Sequence, residues 1–123
     1  GPQGTPYADG VWLVFISFPE EYPVAPPELR FQTPIKHCNV SPHGRVCHSI
    51  LDRNWTREIG ICMVLECVYG LLLHPDITDP LDSTLALAFY DDSGVYESSI
   101  LEHTARHAMT RTREVWQTVL LGL

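Results

Sequence analysis

Val11-Trp-Leu-Val-Phe-Ile-Ser-Phe18 is an unbroken β-branched and aromatic run, bounded by Asp9-Gly10 before it and Pro19 after it. A run of this kind between turn signals reads as a strand, and its lack of polar alternation predicts burial on both faces. Glu28-Leu-Arg-Phe-Gln-Thr33 alternates polar and apolar side chains and predicts a second strand with one face on the core. Pro23, Pro26 and Pro27 lie between the two. Their fixed φ and missing N–H exclude helix and central strand alike, which leaves a rigid extended connection.

Outward from these strands the chain changes character twice. Residues 34–58 hold Pro34, Pro42 and Gly44 with little periodicity, and so long an irregular stretch in a compact domain is more often functional than idle. From about residue 59 the period becomes helical. Ile59 to Leu73 predicts a largely apolar, buried helix closed at His74-Pro75, with Cys62 and Cys67 as part of its core. Ser83 to Tyr90 predicts a short helix capped by Asp82 or Ser83, broken at Asp91-Asp92-Ser93-Gly94. Val95 to Leu121 predicts one long helix, with Leu101, Ala105, Ala108, Met109, Val115, Trp116 and Val119 on its apolar side. The expected fold is therefore α+β, a small antiparallel meander sheet followed by helices. The single domain divides into strands and a proline-rich connection (1–33), a long loop (34–58) and a helical part (59–123).

Composition limits the function. The 123 residues suffice for one domain, and 45% hydrophobic against 19% charged residues is a globular balance. A formal charge of -7 offers no electrostatic footprint for nucleic acid and predicts repulsion from anionic membranes. The longest apolar stretch, Cys62 to Leu73, is too short for a bilayer span and contains Glu66. The four cysteines form no C-x-x-C pair and the histidines no spaced cluster, so no metal centre is expected. Reduced thiols point to the cytoplasm or the nucleus. Only one of the eight basic residues is a lysine, Lys36.

Several motifs, taken in order, carry a resemblance. Gly1-Pro-x-x-Thr-Pro-Tyr-x-x-Gly10, an apolar strand, and Phe18-Pro-x-x-Tyr22-Pro-x-x-Pro-Pro27 come first. His37-Cys-Asn39, Gly44-Arg-Val-Cys47, Ile50-Leu51, Trp55 and Asp79-Pro80-Leu81 follow with the expected gaps. Over nearly its whole length the chain resembles the catalytic core of ubiquitin-conjugating enzymes. The resemblance implies that family's fold, here without the helix and first strand that usually precede this point. It also implies an ATP-dependent pathway in which an activating enzyme hands ubiquitin, or a similar modifier, to this chain.

The same resemblance assigns roles. Cys47 is the expected nucleophile, since a thioester keeps a carboxyl terminus activated while it is carried to an amine. Asn39, from a His-Pro-Asn motif whose proline is here Cys38, is expected either to stabilise the oxyanion or to brace the loop beside the thioester. Asp79 is expected to orient the incoming lysine, the alternative being a turn aspartate before Pro80. Asp76 is a substitute on the same loop. His48, next to the nucleophile, is a candidate base or a partly solvated neighbour, and His37 a mainly structural residue. For docking of a ligase, Val24 and Thr56-Arg57-Glu58 occupy positions where other members carry apolar residues and Ser-Pro-Ala, so an atypical partner surface is expected. No cofactor is implied. The expected function is a ubiquitin-conjugating enzyme. The competing readings are a noncatalytic binding or scaffold module and an incomplete fragment of a larger conjugating enzyme.

Overall fold

The computed structural model describes residues 1–122. Strands β1 (Val14–Ser17) and β2 (Glu28–Phe31) pair antiparallel, with Val14 opposite Phe31 and Ser17 opposite Glu28. Single bridges, Arg30 to Arg45 and Val40 to Val46, extend this hairpin towards the loop that follows. A 3-10 turn (Ser49–Leu51) leads to helices α1 (Ile61–Leu73), α2 (Ser83–Asp91), α3 (Ser93–His107) and α4 (Arg113–Leu121). The architecture is the small antiparallel sheet followed by helices that the sequence predicts.

Pairing puts Val14, Ile16, Leu29 and Phe31 on one face of the sheet, where they pack against Val64, Val68 and Leu71 of α1. The opposite face carries Phe15, Ser17, Glu28 and Arg30, and Phe15 is 49% exposed. The expectation that the first strand is buried on both faces is thus corrected: a single helix layer covers a single face, and the strand alternates. The same geometry corrects α1. Val64, Val68, Leu71 and Leu72 are buried, whereas Met63, Leu65, Tyr69, Leu73 and Cys62 face outward. Cys62 is no core residue, because α1 has a neighbouring layer on one side alone.

A second core joins Tyr7, Cys38, Leu72, Leu85, Ala86, Tyr96 and Ile100, uniting the N-terminal segment, the loop and helices α1 to α3. Tyr7 meets Trp12 edge-on at 6.0 Å, and its hydroxyl donates to the Lys36 carbonyl at 2.6 Å. Desolvation pushes the Tyr7 phenol well above its usual range. Asp82 caps α2 by accepting from the Leu85 N–H at 3.0 Å, and Asp92 caps α3 by accepting from the Val95 N–H at 3.1 Å.

The predicted single helix over 95–121 is two helices. The Ala108 carbonyl accepts the Val11 N–H at 2.8 Å, which takes it away from the helical ladder. Thr112 then restarts the helix by capping the Val115 N–H at 3.3 Å. The buried stripe of α3 is Tyr96, Ile100 and Thr104, running on to Ala108, and not Leu101, Ala105 and Met109. None of the residues of α4 is buried; Val115, Val119 and Leu120 are exposed, and Arg111 lies over the Trp116 ring at 4.8 Å.

Candidate active site

The loop that carries the candidate nucleophile is closed by backbone hydrogen bonds. Across the turn the Ser41 N–H donates to the Arg45 carbonyl at 2.9 Å and the Arg45 N–H donates to the Ser41 hydroxyl at 3.1 Å, and Gly44 sits there at φ 90°. A Cβ at Gly44 would collide with the Phe31 carbonyl, so only glycine fits. The Phe31 N–H donates to Gly44 at 2.7 Å and the Val46 N–H to Leu29 at 3.0 Å, tying the loop to β2. The Cys47 N–H donates to the Asn39 carbonyl at 2.9 Å. Cys47 therefore leaves the last point of attachment and is exposed.

Behind it, His37-Cys38-Asn39 is buried and fully engaged. His37 Nδ1 accepts the Asn39 N–H at 3.0 Å, which leaves the proton on Nε2 to be donated to the Leu71 carbonyl at 2.7 Å. Burial holds the His37 pKa below the ordinary histidine range, consistent with this neutral tautomer. Asn39 is 1% exposed. Its Nδ2 donates to the Asp76 carbonyl at 2.8 Å while its Oδ1 accepts the Asp76 N–H at 2.9 Å. The Cys38 thiol donates to the same Oδ1 at 3.5 Å, and burial pushes its pKa up to about 11. The Cys38 carbonyl accepts the N–H groups of Leu81 (2.7 Å) and Asp82 (3.1 Å).

Cys47 and His48 line a depression of about 470 Å³ with Ser41, Asp52 and Leu81 at its margins. His48 Nδ1 accepts the Ile50 N–H at 3.0 Å and so caps the 3-10 turn. That bond occupies one ring nitrogen and leaves Nε2 to carry the proton. Burial lowers the His48 pKa, and the Asp76 carboxylate partly opposes this. Asp76 in turn accepts from the Thr78 hydroxyl at 2.6 Å and its N–H at 3.0 Å. These bonds hold its carboxyl below the usual carboxylate range, with His48 and Arg53 contributing. Asp79 is exposed on the same segment. The loop around Cys47 and the segment 76–79 are thus joined through Asn39 and Cys38, while His37 lies behind them as a support.

The candidate docking residues also come together. Trp55 Nε1 donates to the Pro23 carbonyl at 3.0 Å, and the Tyr22 and Trp55 rings lie 6.1 Å apart. Val24, 67% exposed, follows Pro23, and the exposed Thr56, Arg57 and Glu58 follow Trp55, so the two tied segments carry them. Sequence reasoning missed Asp52 and Arg53, and gave Leu81 of the Asp79-Pro80-Leu81 motif no role of its own. Arg53 acts electrostatically on both Asp76 and His48. Its signal was available, as a cation in the loop just after the candidate nucleophile, but nothing in a linear reading places segment 76–79 opposite it. Among the described residues no group of three or more His, Cys, Asp or Glu side chains could hold a metal ion.

The sequence model for ubiquitin-conjugating enzymes matches residues 1–104. The chain belongs to this family. As a ubiquitin-conjugating enzyme family member it is 52% identical, over 120 residues, to a protein of Acanthamoeba polyphaga mimivirus named probable bifunctional E2/E3 enzyme R795. That match covers 98% of this chain and 9% of the mimivirus protein. It is 38% identical to the probable ubiquitin-conjugating enzyme E2 31 of Arabidopsis thaliana, over 88% of this chain and 70% of the relative. Among solved structures, the E2 domain of a Toxoplasma gondii ubiquitin conjugating enzyme superposes with a TM-score of 0.80 at 32% identity, covering 88% of this chain and 75% of that one.

Proposed function

We propose that the chain carries ubiquitin, or a similar modifier, as a thioester on Cys47 and passes it to an amine. The observation that carries this reading is the contrast between two thiols of one loop. Cys47 is exposed in a depression, whereas Cys38 is buried and engaged as a hydrogen-bond donor. Loading forms the bond from Cys47 Sγ to the modifier's carboxyl carbon, and transfer exchanges it for an amide bond to the acceptor nitrogen. In this reading Asn39 braces the segment 76–79 through both ends of its amide, Asp79 positions the acceptor amine, and Asp76 and His48 shape the charge beside the thioester. Val24 with Thr56, Arg57 and Glu58 forms the surface for a ligase of unusual preference.

The test is a charging assay with activating enzyme, ATP and ubiquitin. A thiol-sensitive adduct is expected, absent from Cys47→Ala and replaced by a thiol-stable one in Cys47→Lys. A thiol-sensitive adduct on Cys47→Ala overturns the choice of nucleophile, and no adduct on the parent chain favours the noncatalytic binding or scaffold reading.

A second reading is favoured by the match to a mimivirus protein of which the chain spans only 9%. It makes the domain the conjugating module of a larger protein that supplies its own ligase function. It predicts substrate modification by the longer protein without an added ligase.

A further inference from the structure

His103 and His107 stand four residues apart on α3, and their ring centroids lie 4.4 Å from each other. Residues at this spacing share one helix face, so the two rings close over a single turn. Unlike the rings of His37 and His48, neither ring forms a hydrogen bond among the described residues. Both side chains are half-buried. Nothing in the packing of the fold or in the chemistry of Cys47 uses them. Burial, with His107, Lys36 and Arg106 adding to it, holds the His103 pKa below the ordinary histidine range and favours the neutral ring that ligates metals.

The spacing is that of two ligands on one ion. A metal about 2.1 Å from one nitrogen of each ring, with its two bonds at about a right angle, puts the ring centres roughly 4.5 Å apart, whereas a tetrahedral angle puts them roughly 5.2 Å apart. Right angles belong to square-planar and octahedral ions such as Cu²⁺ and Ni²⁺, the tetrahedral angle to Zn²⁺. The surrounding charge also suits a cation. The pair occupies the last turn of α3, where the unpaired carbonyls carry the negative end of the helix dipole. Arg106 on that turn is met by the Glu102 carboxylate at 2.6 Å. His103 also lines a depression of about 480 Å³, to which Lys36 and Asp82 contribute opposite charges.

We propose that His103 and His107 form a two-histidine chelate for a divalent late transition metal with right-angled ligands, Ni²⁺ or Cu²⁺. Each ring gives one nitrogen lone pair, and water fills the other positions on the ion. Binding displaces two waters from the hydrated metal, and nothing is oxidised or reduced. The chelate clamps the last turn of α3 beside a depression that shares Ser41 and Leu81 with the one containing Cys47. The inference is independent of the thioester reading of Cys47.

The experiment uses Ni²⁺ alone as the probe, on the whole chain with its exposed Cys47 and Cys62 alkylated so that thiolates do not compete. At about ten times the half-saturating Ni²⁺ concentration the thermal midpoint should rise by roughly 3–6 °C, and by less with Zn²⁺ at the same concentration. His103→Gln and His107→Gln should each weaken Ni²⁺ binding at least roughly tenfold in equilibrium dialysis and lose most of the thermal shift. A second measurement needs no variant. In proton spectra of the alkylated chain, paramagnetic Ni²⁺ should broaden the ring signals of His103 and His107 before those of His37, His43, His48 and His74. Absence of saturable binding, a shift that survives in either variant, a larger shift with Zn²⁺, or broadening that begins at another histidine overturns the inference.

Discussion

The side chain of Asn39 grips the main chain of Asp76 on both sides of its α-carbon, donating to its carbonyl at 2.8 Å and accepting its N–H at 2.9 Å. Residues 37 apart in sequence are thereby held as a turn would hold neighbours, with Asn39 buried and Asp76 at the surface. The bond pair joins the loop of the proposed nucleophile, Cys47, to the segment that carries Asp79.

Asn39→Ala should therefore lose about 1–3 kcal/mol of stability, because two partly buried main-chain groups lose their partners and a buried side chain is truncated. Chemical denaturation reads this directly. Transfer to free lysine should slow more than charging does, since the brace places the acceptor side. Unchanged stability with slowed transfer would instead mark Asn39 as a direct donor to the reacting oxygen.

Cysteine labelling under native conditions should separate the thiols by exposure. Cys47 and Cys62 are open to reagent, while Cys38 is 1% exposed and its pKa is raised to about 11. Mass spectrometry should find Cys38 unlabelled until the chain unfolds. Labelling of Cys38 at the pace of Cys47 would show that the His37-Cys38-Asn39 turn opens freely.

Acid should destabilise the fold through His37. Its folded-state pKa is lowered by burial, and its neutral ring holds Asn39 and Leu71 at once. Below an unfolded value near about 6.5 the unfolded chain takes up a proton that the native state refuses. Stability is therefore complete above that value and falls as pH drops through it, by at most about 1.4 kcal/mol per pH unit for this group. Denaturation midpoints from about pH 7 to about pH 5 should decline, and His37→Gln should flatten the slope while lowering the whole curve. A flat profile in the parent chain would contradict the assignment.

Two substitutions should contrast. Ile100 is 0% exposed at the junction of α2 and α3, and Ile100→Ala should cost about 2–5 kcal/mol. Val119 on α4 is exposed, and Val119→Gln should change stability by less than about 0.5 kcal/mol. Thermal melts of both variants test how the core is divided.

The strands, the starts of α1 and α2 and the irregular loop were legible because each rests on local chemistry: prolines, caps, and a change of period at residue 59. Burial on one face of β1 was not, since an apolar strand does not announce how many layers will cover it. The break between α3 and α4 was also hidden. It depends on the Ala108 carbonyl being taken by Val11, a partner nearly a hundred residues away in sequence. In the site, the motif residues could be named one by one, but the pair of hydrogen bonds from Asn39 to Asp76 and the place of Arg53 follow from tertiary approach.

The Asp76 main chain held by Asn39, and Leu81 with Asp82 held by the Cys38 carbonyl, leave Ile77 to Pro80 as a short arch between two fixed piers. The entropy lost by a closed loop grows with its length, so an arch this short has few conformations left to lose. Asp79 rides on it. If Asp79 receives an amine as proposed, most of the disorder to be quenched on its arrival was already removed when the chain folded.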